Sequence, residues 1–102
     1  MTRIIACFNL KTGATSERYE AWARATDLPT VKALPSIADF SVLRTTGVLG
    51  ADTKPPYQYI EIIDVKDMAQ FGHDVATPAM QKIAADFGAM ADVVFMTTEK
   101  LG

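Results

Sequence analysis

The sequence predicts an α+β domain in which a four-stranded antiparallel sheet carries two helical regions on one face. Four strand-like segments and two helical regions follow one another in the order βαββαβ, the ferredoxin-like arrangement. The chain has 102 residues and 49% hydrophobic content. This length suits one globular domain over residues 1–102 and is too short for two.

The first strand and the first helical region occupy the N-terminal third of the chain. Residues 3–10 form a short apolar run rich in β-forming residues, and a turn signal follows it. Ser16 is expected to cap a helix over residues 16–26. The sequence Asp27-Leu28-Pro29 interrupts this helix, so a second short turn is expected to start there.

Two strands follow in the middle of the chain. They are expected at residues 37–46 and 57–65, with a turn-rich connector over residues 47–56. Strict alternation in the first of them would place Ile37 and Phe40 on opposite sides.

The second helical region and the last strand complete the pattern. Asp67, with Gln70 three residues later, is typical of a helix start. Thr77-Pro78 is expected to restart the helix, and a fourth strand is expected at residues 91–99. Four apolar positions at helical spacing form the predicted sheet-facing stripe, namely Met80, Ile83, Ala84 and Phe87.

The predicted strands are apolar on both sides. In the first strand, Ile5 and Cys7 alternate with Ile4 and Phe8. Two helical regions cover only one face of a sheet, and soluble monomers rarely expose an apolar patch of that size. We therefore expect a homodimer formed through the helix-free sheet faces.

Composition excludes several classes of protein. One cysteine and one histidine leave no zinc-site spacing, so no metal is expected. No glycine-rich nucleotide motif is present, and no cofactor is expected. The net charge of −2, without a run of basic residues, argues against nucleic-acid binding. The N-terminal apolar stretch ends before Asn9, so no membrane segment and a cytoplasmic location are expected.

Several stretches resemble a known family. They are YEAWARATDLPTVKALPSI (19–37), SVLRTTGVLG (41–50), PPYQYIEIIDV (55–65) and FGHDVATPAMQKIAADF (71–87). Together they are similar to the RedY/HapK-like group of the dimeric α/β-barrel superfamily. The resemblance implies a small accessory or tailoring protein of prodiginine-type or other pyrrole and indole alkaloid pathways.

His73 is the candidate acid/base residue, because only histidine has an unperturbed pKa near neutrality. Helical spacing points it away from the apolar stripe of its helix, which favours a solvated position. The resemblance favours a catalytic or ligand-binding role for a histidine in this region. Asp27 is either a helix cap or a partner that orients the imidazole of His73.

Glu61 lies in the middle of the third strand among isoleucines. It is expected either to pair with Arg44 or to line a cavity with its pKa raised by desolvation. Tyr59 is on the same face and could donate its hydroxyl to a ligand.

Aromatic and flexible apolar side chains could form a slot for an aromatic ligand between the helices and the sheet. The alternative for each of them is ordinary core packing. The candidates are Tyr19, Trp22, Met80 and Phe87. Asn9 could donate its amide to a ligand carbonyl, or simply end the first strand.

The leading functional hypothesis is a protein that binds a hydrophobic aromatic metabolite and performs cofactor-free acid/base chemistry with His73. One alternative is a monooxygenase of the antibiotic-biosynthesis or haem-degrading type. The other is a stress-responsive protein that binds a small molecule without transforming it. Fold alone does not choose among these functions.

Overall fold

The computed structural model describes all 102 residues and confirms the predicted order of elements. One antiparallel sheet has the strand order β2-β3-β1-β4. Its strands are β1 (Thr2–Leu10), β2 (Ile37–Arg44), β3 (Tyr59–Val65) and β4 (Ala91–Thr98). The helices are α1 (Ser16–Trp22), α2 (Leu28–Lys32), α3 (Met68–Val75) and α4 (Pro78–Met90). The chain therefore has the ferredoxin-like fold.

A π-helical turn, Ala23–Asp27, joins α1 to α2. The backbone N–H of Leu28 donates to the carbonyl of Ala23, five residues back. Pro29 explains this widening, because it has no N–H and its ring would collide with the carbonyl four residues earlier. The first helix starts as predicted at Ser16, but its cap is Thr15, whose hydroxyl accepts from the N–H of Arg18 at 3.2 Å.

The prediction of strict alternation in β2 is wrong at its start. The pairing of β2 with β3 shifts between Ile37 and Asp39, and Ala38 is the extra residue. This β-bulge places Ile37 and Phe40 on the same face of the sheet, and both are buried.

The helix start predicted at Asp67 is observed. Its carboxylate accepts from the N–H groups of Ala69 and Gln70, at 2.9 and 3.2 Å. At the other end of α3, buried Asp74 accepts from the N–H of Ser36 at 3.0 Å. This bond fixes α3 to the segment that enters β2.

The core lies between the sheet and the helices. Alternate strand residues such as Ile4, Phe8 and Ile63 meet Met80 and Phe87 of α4 there. The opposite face of the sheet has no helix, and it leaves Leu43, Val94 and Met96 more than 40% exposed. No helix is long and apolar enough to span a bilayer.

Candidate functional site

A cavity of about 170 Å³ lies between the helix-covered face of the sheet and the helices. Ten of its twelve lining residues are hydrophobic, and the other two are Asp27 and Glu61. We call it the carboxyl cavity. The hydrophobic lining consists of Val31, Phe40, Ile63, Phe71, Val75, Met80, Ile83, Ala84, Phe87 and Phe95.

The two carboxyls reach the cavity from different elements. Glu61 is at the centre of β3 and shares the helix-covered face with Tyr59 and Ile63, as strand alternation requires. Asp27 is the last residue of the π-helical turn. Each residue is only 4% exposed, and neither carboxyl has a hydrogen-bond partner within the chain. Such groups are costly to bury, so a site that keeps two of them is a candidate functional site.

Burial shifts the proton equilibria of both carboxyls. Removal from water raises the pKa of Glu61 to about 8, and the nearby charge of Asp27 adds to this effect. Burial alone raises the pKa of Asp27 to about 6. At neutral pH, the cavity therefore holds a carboxylic acid at Glu61 beside a carboxylate at Asp27.

The predicted pairing of Arg44 with Glu61 is wrong. The register places Val42 opposite Glu61 and Arg44 opposite Tyr59. The guanidinium of Arg44 contacts both carboxylate oxygens of Glu20 at 3.0 Å, and Tyr59 donates its hydroxyl to the same carboxylate at 2.7 Å. The alternative prediction for Glu61, a cavity-lining acid with a raised pKa, agrees with the structure.

These polar side chains border a separate cavity of about 160 Å³, which we call the arginine cavity. Its lining is Tyr19, Glu20, Ala23, Arg24, Leu28, Val42, Arg44 and Tyr59. Arg44 and Tyr59 thus lie at a different cavity from Glu61. Tyr19 lines that cavity too, but its hydroxyl is close enough to Glu61 and Asp27 for their charges to add to burial in raising its pKa.

The predicted aromatic residues divide between core and cavity. Met80 and Phe87 line the carboxyl cavity and also belong to the buried core, so they satisfy both alternatives considered for them. Trp22 lines neither cavity and stacks on Phe87, with 6.1 Å between ring centroids and 3° between ring planes. Tyr19 is fully buried, and its hydroxyl has no partner.

The side-chain amide of Asn9 makes hydrogen bonds within the chain at both its nitrogen and its oxygen, in place of the predicted contact with a ligand. Its side-chain nitrogen donates to the carbonyl of Pro56 at 3.0 Å, and its oxygen accepts from the N–H of Gln58 at 2.9 Å. The residue therefore fastens the end of β1 to the connector.

The structure does not bring His73 and Asp27 together. His73 is exposed on α3 and does not line the carboxyl cavity. Phe71 and Val75, four residues apart, are the α3 residues that line it, so His73 points elsewhere, as its spacing from the apolar stripe indicated. The capping role considered for Asp27 is also absent, since its side chain makes no cap hydrogen bond at α2.

Three phenylalanines of the carboxyl cavity were not singled out from the sequence, namely Phe40, Phe71 and Phe95. Phe95 lies on the helix-covered face because it pairs with Ala6, and it lines the cavity although it is 55% exposed. Strand alternation could have assigned Phe95 to this face, but its exposure depends on where the helices end. No group of three or more metal-ligating acidic, histidine or cysteine side chains occurs in the chain.

Comparisons with known proteins agree with this fold. The crystal structure of HapK from Hahella chejuensis has 33% sequence identity and a TM-score of 0.81, covering 100% of this chain and 94% of that one. SnoaB from Streptomyces nogalater, described as a cofactor-independent oxygenase, has 18% identity and a TM-score of 0.75, with 99% and 93% coverage. A dimeric ferredoxin-like protein of Thermobifida fusca has 22% identity and a TM-score of 0.72, with 95% and 88% coverage.

The family comparison is more specific than the shared fold. No curated protein matches the chain. The family described as "REDY-like protein HapK" matches residues 2–101, which is nearly the whole chain. This match confirms the resemblance noted in the sequence, and with the identity to HapK it shows that the chain belongs to the REDY-like HapK family.

Proposed function

We propose that the protein binds a small hydrophobic, aromatic intermediate in the carboxyl cavity and catalyses a cofactor-free proton transfer on it. The observation that carries this proposal is the pair of buried, unpartnered carboxyls in an otherwise apolar cavity. Family membership supports a role as an accessory protein in secondary metabolism, in pathways to pyrrole and indole alkaloids of the prodiginine type.

The two carboxyls supply both halves of an acid/base reaction. In the proposed step, the Asp27 carboxylate takes a proton from one atom of the ligand while Glu61 gives its proton to another. The ligand leaves as its tautomer, and the two carboxyls have exchanged protonation states. Exchange with water then restores the starting state. Such chemistry needs only a positioned acid and base with different pKa values.

The rest of the cavity supports binding of an aromatic ring. A cavity of similar size in an engineered protein holds one benzene molecule. A neighbouring apolar hollow of about 270 Å³ shares Ile63, Phe71 and Phe95 with the carboxyl cavity. A ligand with more than one ring would extend into this hollow.

Proton transfer explains the carboxyls better than passive binding of an apolar molecule does. A protein that only sequesters an apolar molecule gains nothing from two buried carboxyls without partners, and each lowers stability. A haem-binding role has no support from His73, because this residue is outside the cavity.

We also propose a homodimer formed through the helix-free face of the sheet. Apolar side chains from all four strands share this face, namely Ile5, Cys7, Leu43, Ile60, Ile62, Val94 and Met96. A two-fold contact between two such faces would bury them and leave each carboxyl cavity on the outer side of its sheet.

The proton-transfer proposal is tested by deuterium exchange with a phenyl-substituted cyclic imine, 2-phenyl-1-pyrroline. Its conversion to the enamine requires an acid at nitrogen and a base at carbon. In D₂O near neutral pH, the protein should accelerate loss of the C3 proton signals in the NMR spectrum. Glu61→Gln and Asp27→Asn should each lower the catalysed rate at least about 100-fold, the usual scale of one acid/base group.

His73→Ala is the matched control, because His73 is the side chain that the sequence suggested and the structure places outside the cavity. We expect it to retain the exchange rate of the unmodified protein. Loss of exchange in His73→Ala, with retention in Glu61→Gln, would contradict the proposal.

A further inference from the structure

The polar residues that line the carboxyl cavity are both acidic. Its wall contains two carboxyls and no lysine, arginine or histidine. Arg44 and Arg24 both contact Glu20 at the arginine cavity, and Lys82 contacts Asp86 on the outer side of α4. No protein cation therefore neutralises a charge on Asp27 or Glu61.

An ionised carboxyl only accepts hydrogen bonds, so it needs a ligand that donates them. The absence of cationic side chains from the wall makes the cavity unfavourable for an anion, since any negative charge would meet one or two carboxylates in a medium of low dielectric constant. A positive charge on the ligand would instead be attracted by these carboxylates.

We infer that the ligand of the carboxyl cavity is an aromatic molecule carrying a protonated nitrogen, such as an ammonium or amidinium group. This inference rests on the proposed function for the location of the site and adds the charge of the ligand to it. The nitrogen would donate to Asp27 and Glu61, and the aromatic ring would pack among Phe71, Phe87 and Phe95.

The phenylalanine walls fit such a ligand in two ways. They provide apolar contacts for its ring, and the faces of aromatic rings attract cations. Phe87 and Phe95 are 6.4 Å apart between centroids, at an interplanar angle of 66°, so they present differently oriented surfaces to the cavity.

Cation binding should be linked to proton release. The titratable groups around Glu61 are Asp27 of the π-helical turn and the hydroxyl of Tyr19 of α1. The cavity-lining residues of α3 and α4 are all apolar. In the proposed step, the ligand nitrogen becomes cationic when Glu61 gives it a proton, which leaves Glu61 as a carboxylate. A ligand that enters already protonated stabilises the same carboxylate form and lowers the pKa of Glu61, so the proton of Glu61 is released to solvent instead. Affinity for a cation should therefore rise with pH up to about 8.

The test compares three probes of nearly the same shape by isothermal titration calorimetry at about pH 7.5. Benzylamine is protonated at this pH, benzyl alcohol is neutral, and benzoate is an anion. We expect benzylamine to bind at least about tenfold more tightly than benzyl alcohol, and benzoate not to bind at about 10 mM. Titrations of benzylamine in two buffers with different ionisation enthalpies should show release of a proton.

Variants test whether the preference for a cation arises in the carboxyl cavity. Glu61→Gln and Asp27→Asn should each reduce the affinity for benzylamine at least about tenfold and leave that for benzyl alcohol unchanged. Asp86→Asn makes the same change in net charge as Asp27→Asn, but outside the cavity, and should retain the preference. If Glu61→Gln does not fold, the proton release measured on the unmodified protein still decides the question.

Three outcomes would overturn the inference: equal affinity for benzylamine and benzyl alcohol, measurable binding of benzoate, or a cation preference that survives in both carboxyl variants. Deuterium exchange of the imine probe without any cation preference would overturn this inference while the proposed function stands. Cation preference without catalysed exchange would support this inference and overturn the proposed proton transfer.

Discussion

The hydroxyl of Tyr59 donates a 2.7 Å hydrogen bond to Glu20, and the same carboxylate contacts Arg44. Glu20 thus pairs with the guanidinium of Arg44, which the strand register places opposite Tyr59 and not opposite Glu61. The pKa of Glu20 is lowered, first by the hydrogen bond from Tyr59 and then by Arg44, although burial opposes both. Glu61, two residues from Tyr59 in β3, is left in the carboxyl cavity without a counterion. This division of charges determines the chemistry available at each cavity.

Glu61 should make stability depend on pH. Its folded-state pKa of about 8 lies above the ordinary carboxyl value, so the folded protein binds a proton that the unfolded chain has lost. Stability should therefore fall as pH rises from about 4.5 towards 8. Glu61→Gln removes this titration and should be more stable than the unmodified protein at about pH 8.5, by roughly 1 to 3 kcal/mol. Urea unfolding at several pH values measures the difference, and parallel curves for the two proteins would contradict it.

Asp74 should protect the backbone amide of Ser36. The carboxylate accepts this N–H at 3.0 Å, and the amide of Gln70 donates to its other oxygen at 2.8 Å. Asp74→Ala should accelerate hydrogen exchange at Ser36 by at least about tenfold, because the buried N–H loses its partner. Asp74→Asn retains an acceptor oxygen and should have a smaller effect. Unchanged exchange in the alanine variant would show that the contact does not hold α3.

The helix-free face should hold two copies of the chain together. Val94 lies on this face and is 42% exposed in the single chain, so a polar residue there should disturb the dimer more than the fold. We expect Val94→Lys to sediment as a monomer at micromolar concentration and the unmodified protein as a dimer. Leu49→Lys is the control, since Leu49 is fully exposed in the connector. If the unmodified protein sediments as a monomer, the proposed interface is refuted.

Phe95 should contribute more to ligand binding than to stability. It lines the carboxyl cavity but is 55% exposed, so removing its ring leaves little empty space in the core. Phe95→Ala should weaken benzylamine binding roughly 5- to 10-fold, the scale of one aromatic contact. Its unfolding free energy should change by less than about 1 kcal/mol. Phe87→Ala, at a buried position, should instead cost roughly 3 to 5 kcal/mol of stability.

The sequence was sufficient for the fold because periodicity reports which face of an element is apolar. The order of elements, the α4 stripe and the two-sided strands all follow from it. Periodicity also indicated that His73 points away from its helix's apolar stripe, and the structure has it exposed.

The candidate site was less predictable because it depends on local irregularities and on competition among charges. Propensity does not reveal that Pro29 produces a π-helical turn ending at Asp27, or that Ala38 forms a bulge. The choice of Arg44 between Glu20 and Glu61 depends on strand register and on the position of α1, which are tertiary properties.

The most direct measurement is an NMR titration of the Glu61 side-chain carboxyl in ¹³C-labelled protein, assigned by comparison with Glu61→Gln. An acid buried beside Asp27 in an apolar cavity should titrate with a midpoint near 8 and should still be protonated at neutral pH. A midpoint near the ordinary glutamate value of about 4.3 would mean that water reaches the carboxyl freely. In that case the cavity could not hold the acid and base on which the proposed chemistry depends.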